Sequence, residues 1–161
     1  MIIKILADGL MLPLVLIAAY ALMRKVPHAH RYDRYSHIFM AGITSYLIAK
    51  ILGLLWQPET LRPFEKLGVD AGASYLNNPG FPSDHALFAG FLTLAVWYGT
   101  RNRTVSIVML ALALLVCLGR VLALVHTPLD VAGGLVVALI GGLWYWTDIK
   151  HVLKKTSQKI K

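Results

Sequence analysis

Cysteine is all but missing from this chain. Cys117 stands alone inside an apolar stretch, which excludes an intrachain disulfide and a cysteine metal cluster and leaves it a packing role. Acidic residues are few as well, with 8 Asp and Glu against 16 Lys and Arg, for a formal charge of +8. Internal repeats and low-complexity segments are absent, and so are long polar stretches. Little chain is therefore left for a soluble domain, and residues 1–161 read as one compact unit.

Apolar sequence is what remains. Hydrophobic residues make up 57% of the chain and its mean hydropathy is +0.63, outside the range of soluble globular domains. Five apolar windows, at residues 5–23, 37–56, 83–100, 104–125 and 128–146, approach the ~20 residues needed to cross ~30 Å of hydrocarbon. The expected fold is all-α, an integral membrane bundle of about five transmembrane helices. The first window has features of a signal peptide, with Lys4 ahead of an apolar core and Ala19-Tyr20-Ala21 resembling a cleavage site. The basic stretch that follows, "RKVPHAHRYDRYSH", resists translocation, so an uncleaved anchor is expected.

Charge assigns the two faces. With five crossings, the connections at 24–36 and 101–103 and the C-terminal tail share one side. They hold Arg24, Lys25, Arg31, Arg34, Arg101, Arg103, Lys150, Lys154, Lys155, Lys159 and Lys161, which is 11 of the 16 basic residues. By the positive-inside rule this side is cytoplasmic. The opposite side carries only Lys4, Arg62 and Lys66, interspersed with Glu59, Glu65 and Asp70, and is expected to be extracytoplasmic. The net charge thus reports topology and contact with anionic membrane lipids rather than nucleic-acid binding, and the tail "KHVLKKTSQKIK" reads as a solvated basic anchor. On the extracytoplasmic side, the connection 57–82 is broken by Pro58, Pro63, Pro79 and Gly80 around a short helix expected at 63–75.

Polar residues gather at the helix ends of that same side, where ionisable groups are costly and are functional candidates. Arg120 lies about five residues, roughly 8 Å, inside the fourth segment. His126 follows that segment, Asp130 falls early in the fifth, and Ser83, Asp84 and His85 open the third. Thr127 suits an N-cap with Pro128 at the first helical position, and Ser83 suits another N-cap. Two helix N-termini, together with Arg62 and Arg120, would form an anion site suited to phosphate. A neutral imidazole there can attack phosphorus while a second, protonated imidazole protonates the leaving oxygen. His126 and Asp130 have the spacing for a carboxylate to orient the nucleophile, and His85 can approach from the leaving-group side. Taken singly, each residue has a plainer explanation. Ser83 and Thr127 are caps, Asp84 and Asp130 complement helix dipoles, and Arg120 snorkels to the interface. Capping alone does not require the combination.

Pro82-Ser83-Asp84-His85, then Gly119-Arg120, five residues, His126, three residues and Asp130, resembles the second and third motifs of the type 2 phosphatidic acid phosphatase superfamily. Arg62-Pro63 resembles the end of its first motif, and the resemblance spans about residues 38–142. It implies a phosphohistidine on His126 oriented by Asp130, His85 as general acid and then base, and Arg62, Ser83 and Arg120 on the phosphate oxygens with main-chain N–H groups near Asp84. It implies no metal and no cofactor. His28 and His30 are spaced as a weak metal pair, but they sit in the basic connection and read as solvated.

The sequence departs from the family pattern at several points. Asp84 stands where the family commonly has glycine, and in this it resembles the undecaprenyl-diphosphatase branch, whose motif often reads Pro-Ser-Asp-His-Ala as Pro82 to Ala86 do; Gly119 stands where the family commonly has serine. Leu55 occupies the place of the first-motif lysine. Lys50, within the second segment, and Lys66, one turn beyond Arg62, are the substitutes, and Lys50 is preferred because an intramembrane lysine needs a reason. The family typically has six spanning helices, so the chain reads as shortened by one at its N-terminus.

The expectation is a multi-pass lipid phosphatase of the inner (plasma) membrane with an extracytoplasmic active site. Its substrate would be a lipid phosphate or diphosphate, foremost undecaprenyl diphosphate in the recycling of a cell-wall carrier lipid. Phosphatidate or phosphatidylglycerol phosphate is the alternative substrate. A non-catalytic lipid-headgroup binding or transport protein, or a phosphotransferase, is the alternative function.

Overall fold

The computed structural model describes residues 1–76, 78 and 80–146. The basic tail 150–161 and the turn residue Pro79 lie outside the described residues. The described chain is helical. Helix α1 (Ile2–Lys25) contains a π turn at Ile5–Gly9 and ends where Val26 becomes extended before Pro27. Helix α2 (Arg31–Leu55) starts earlier than hydropathy suggested, because a 3₁₀ turn at His28–His30 feeds directly into it. Arg31 Nε donates to Val26 O at 3.3 Å and its Nη2 to Met23 O at 3.2 Å, so a basic side chain satisfies carbonyls at the end of α1.

Helix α3 covers only Pro63–Leu67, shorter than the expected 63–75. Glu65 Oε2 accepts from Arg62 N at 2.6 Å to start it, and Gly68 stops it by adopting φ 64°, a left-handed conformation that costs a side-chain-free residue little. Helices α4 (Asp84–Thr100), α5 (Arg103–Leu122) and α6 (Pro128–Gly141) follow. The stretches Ile2–Lys25, His28–Leu55, Arg103–Leu122 and Pro128–Trp146 are each long and apolar enough to cross a membrane. Helix α4, with 17 residues, is the fifth member of the bundle and its centre. It packs against α1, α2, α5 and α6.

Small side chains face inward and large ones outward. Leu14, Ala18 and Ala21 of α1 meet Ala89 and Val96 of α4 and Met109 and Ala113 of α5, while Ala49 of α2 and Val137 and Ala138 of α6 pack with Leu87. Leu12, Leu16, Phe39, Leu47, Ile107, Leu110 and Leu139 are exposed. Water would penalise such a surface, whereas lipid does not, and close helix packing rather than burial from water holds a bundle of this kind together. This is a membrane protein. The alternating helices leave one end of the bundle to Arg24, Lys25, Arg101 and Arg103, and the other end to the polar groups described next.

Candidate functional site

The turn from α5 to α6 positions the first of these groups. Leu124 adopts φ 58°, a left-handed conformation costing about 1–3 kcal/mol for a residue with a Cβ, and the chain reverses sharply there. Three successive carbonyls of this turn are taken by the 57–82 segment. Gly72 N donates to Ala123 O at 3.0 Å, Phe64 N to Leu124 O at 3.0 Å, and Arg62 Nη1 to Val125 O at 2.5 Å. The strained turn is thereby tied to the loop that carries Arg62. Thr127 and Asp130 then cap α6 reciprocally, with Asp130 N donating to Thr127 Oγ1 at 3.1 Å and Thr127 N to Asp130 Oδ2 at 2.8 Å. This cap fixes Asp130 Oδ2 3.6 Å from His126 Nδ1, just beyond hydrogen-bond length. Ser83 N donates to Asp130 O at 2.9 Å, which joins the starts of α4 and α6.

Between these elements lies a cavity of about 290 Å³ whose lining includes Arg62, Asn78, Asp84, His85, Arg120 and His126. Arg120 is almost wholly buried; its Nη1 donates to Asp8 Oδ1 and Ser74 O, each at 2.8 Å. Arg62 Nη2 donates to Leu76 O, Asn78 O and Asn78 Oδ1, each at 3.1 Å. Two buried ring or guanidinium nitrogens, Arg120 Nε and His126 Nδ1, have no hydrogen-bond partner among the described residues. A buried N–H left unpaired is costly, and an anion in the cavity would relieve that cost for the guanidinium. Burial pushes the His126 imidazole below its usual range, and the charges of Arg120 and Arg62 act in the same direction against Asp130, so the ring is neutral at pH 7.

Of the residues singled out in the sequence, Arg62, Asp84, His85, Arg120 and His126 come together on this cavity, with Asp130 directly behind His126. The other two stand apart. Ser83 is fully buried, and its hydroxyl accepts from Ala86 N at 3.5 Å as an N-cap rather than lining the cavity. Lys50 Nζ lies 3.2 Å from Asp84 Oδ1, on the α2 side of that carboxylate, while Lys66 pairs with Glu59 on the exposed loop. Of the two lysines considered for the Leu55 position, Lys50 is thus the one that contacts a cavity residue.

Sequence reasoning passed over Asp8, Ser74 and Asn78. Asp8 had a usable signal, an aspartate inside the first apolar run. Ser74 and Asn78 had none, because main-chain atoms make most of their contacts.

A family model described as the PAP2 superfamily matches residues 35–153, more than half of the chain. The chain belongs to the PAP2 superfamily. Undecaprenyl-diphosphatase BcrC of Bacillus subtilis (strain 168) is 32% identical over 117 residues, 68% of this chain and 56% of that protein. The chain therefore spans little more than half the length of that relative. No solved structure matches significantly. The matched range includes Arg62, Asp84, His85, Arg120, His126 and Asp130.

Proposed function

We propose that the protein is a lipid phosphatase that works through a phosphohistidine without a metal ion. The observation that carries this reading is the pair of histidines on one cavity with two buried arginines, His126 being neutral and backed by the Asp130 carboxylate. His126 attacks phosphorus through Nε2 while Asp130 holds Nδ1 and stabilises the positive ring that forms. The bond from phosphorus to the leaving oxygen breaks, and that oxygen takes the proton of His85. His85, now neutral, removes a proton from water, whose oxygen displaces His126 and releases phosphate. Arg62, Arg120 and the free N–H groups at the start of α4 stabilise the phosphate oxygens throughout. Ser83 supports that helix start as its cap, and Lys50 holds Asp84 at its edge.

A lipid rather than a soluble ester is favoured by a second cavity, of about 820 Å³, between α2 and α4. Its walls include Ile38, Ile43, Leu47, Leu87, Phe88 and Phe91, and it shares Leu76 and Asp84 with the first cavity. An isoprenoid or acyl chain lying there would have its headgroup at His126. The relative's name points to undecaprenyl diphosphate as substrate. The headgroup site would then lie on the extracytoplasmic face of the plasma membrane, opposite the basic end of the bundle.

The test is phosphate release by the purified full chain in detergent with excess EDTA, with undecaprenyl diphosphate and phosphatidate compared side by side. Release is expected with both EDTA present and the diphosphate preferred, and H126A is expected to show none above background. Wild-type turnover by folded H126A would overturn the mechanism, and preference for phosphatidate would overturn the substrate.

A further inference from the structure

Asp8 is a carboxylate that the chemistry above does not use, although it contacts Arg120 and Ser74 and lies near His85, all of which line the cavity. It lies in the π turn of α1, and such turns, which widen a helix by one residue, recur at functional sites. Its Oδ2 accepts from Ser74 N at 2.9 Å. Its Oδ1 accepts from Arg120 Nη1 at 2.8 Å and stands 4.0 Å from His85 Nε2. One side chain thus touches the loop, the buried guanidinium and the neighbourhood of the second histidine. Its approach depends on Gly119, because a Cβ there would lie 2.5 Å from Ala7 N and 2.6 Å from the carbonyl carbon of Leu6. The glycine that stands in place of the family's serine is what lets α1 come this close.

We propose that Asp8 is a positioning residue for the general acid, holding His85 as Asp130 holds His126. This rests on the phosphatase reading above. His85 must carry a proton when the leaving oxygen departs, and a carboxylate at this distance attracts the positive charge of that state. An imidazolium has two N–H groups. Nε2–H turns to Asp8, and the other is left for the leaving oxygen. The same carboxylate holds Arg120 in the cavity, so the phosphate ligand and the proton donor are set by one group from α1.

The discriminating variable is the leaving group. A lipid alcohol, the leaving group of a monoester such as phosphatidate, needs its oxygen protonated, whereas p-nitrophenolate and a lipid phosphate both leave unaided. D8N in the full chain is expected to lower kcat for a lipid monoester such as phosphatidate by about 10- to 100-fold while slowing p-nitrophenyl phosphate far less. KM should change little, because the asparagine amide oxygen can still accept from Arg120 Nη1, and D8E should recover part of the loss. G119A, whose Cβ would force α1 away, should lower lipid turnover as D8N does but also raise KM, because Asp8 then leaves Arg120 too. An activity-independent readout uses ¹⁵N-histidine-labelled protein with His85 signals assigned through H85Q. D8N should displace the ring signals of His85 and leave those of His126 in place. Equal loss on both esters, a gain in kcat/KM as expected of a carboxylate that merely plugs the anion site, or unmoved His85 signals would overturn the proposal. Displaced His85 signals in a protein whose wild type releases no phosphate would uphold the pairing and reject the phosphatase reading.

Discussion

Two histidine–carboxylate neighbours, His126 with Asp130 and His85 with Asp8, are brought together by different means. On the α6 side, His126 and Asp130 are four residues apart in one capped turn, and the carboxylate is fixed by Thr127 before any other helix is considered. On the α1 side, His85 and Asp8 come from different helices, and the close packing of Ala7 against Gly119, with the hydrogen bonds from Ser74 and Arg120 to Asp8, brings them together. A pair built within a cap is expected to survive small shifts in helix packing. A pair built across the bundle is expected to fail with them.

The largest effects should come from removing one member of each side. Under the proposed mechanism H85A loses roughly 10² to 10⁴ in rate on a lipid substrate, and D130N a comparable factor, because the nucleophile then lacks its orienting group. The two differ in what accumulates. In acid-quenched single-turnover reactions D130N should form little phosphohistidine, whereas H85A given a p-nitrophenyl ester should form it and hydrolyse it slowly. Similar phosphoenzyme levels in the two variants would erase the distinction between the sides.

A smaller effect is expected in the pH profile. Because burial holds His126 below its usual range, the neutral nucleophile persists below pH 6.5, and kcat/KM should fall only as pH drops through that lowered value. Asp130 opposes the shift, so D130N should move this acid limb to still lower pH, while D8N leaves it in place. An acid limb above pH 6.5 in the wild type would contradict the buried, neutral imidazole.

The smallest effect should come from Lys50. Its ammonium pairs with Asp84 at 3.2 Å, but both side chains are substantially exposed, 43% and 42%, and such pairs contribute at most about 1 kcal/mol. K50A is therefore expected to change kcat/KM by less than about 10-fold, and the change should shrink further at high salt. A loss as large as that of H85A would make Lys50 a direct phosphate ligand.

Much of this was legible in the chain. The apolar windows foretold the bundle, since hydrocarbon thickness demands helices of a minimum length, and the proline and glycine pattern marked the loop at 57–82. The α6 cap was legible because Thr127, Pro128 and Asp130 act within one turn. The start of α2 was not, because the 3₁₀ turn at His28–His30 carries the helix through polar sequence that hydropathy assigns to a loop. The end of α3 was missed because one residue, Gly68, stops it.

By itself, then, the sequence determined what depends on near neighbours: the spanning segments, both N-caps, and His126 with Asp130. Tertiary structure alone decided that Arg62 would meet the carbonyl of Val125, that Lys50 rather than Lys66 would reach Asp84, and that Asp8 would hold Arg120. The physical reason is range. A cap is closed by hydrogen bonds within four residues, whereas these contacts require helices far apart in the chain to approach closely, which small residues such as Gly119 permit and no local pattern announces.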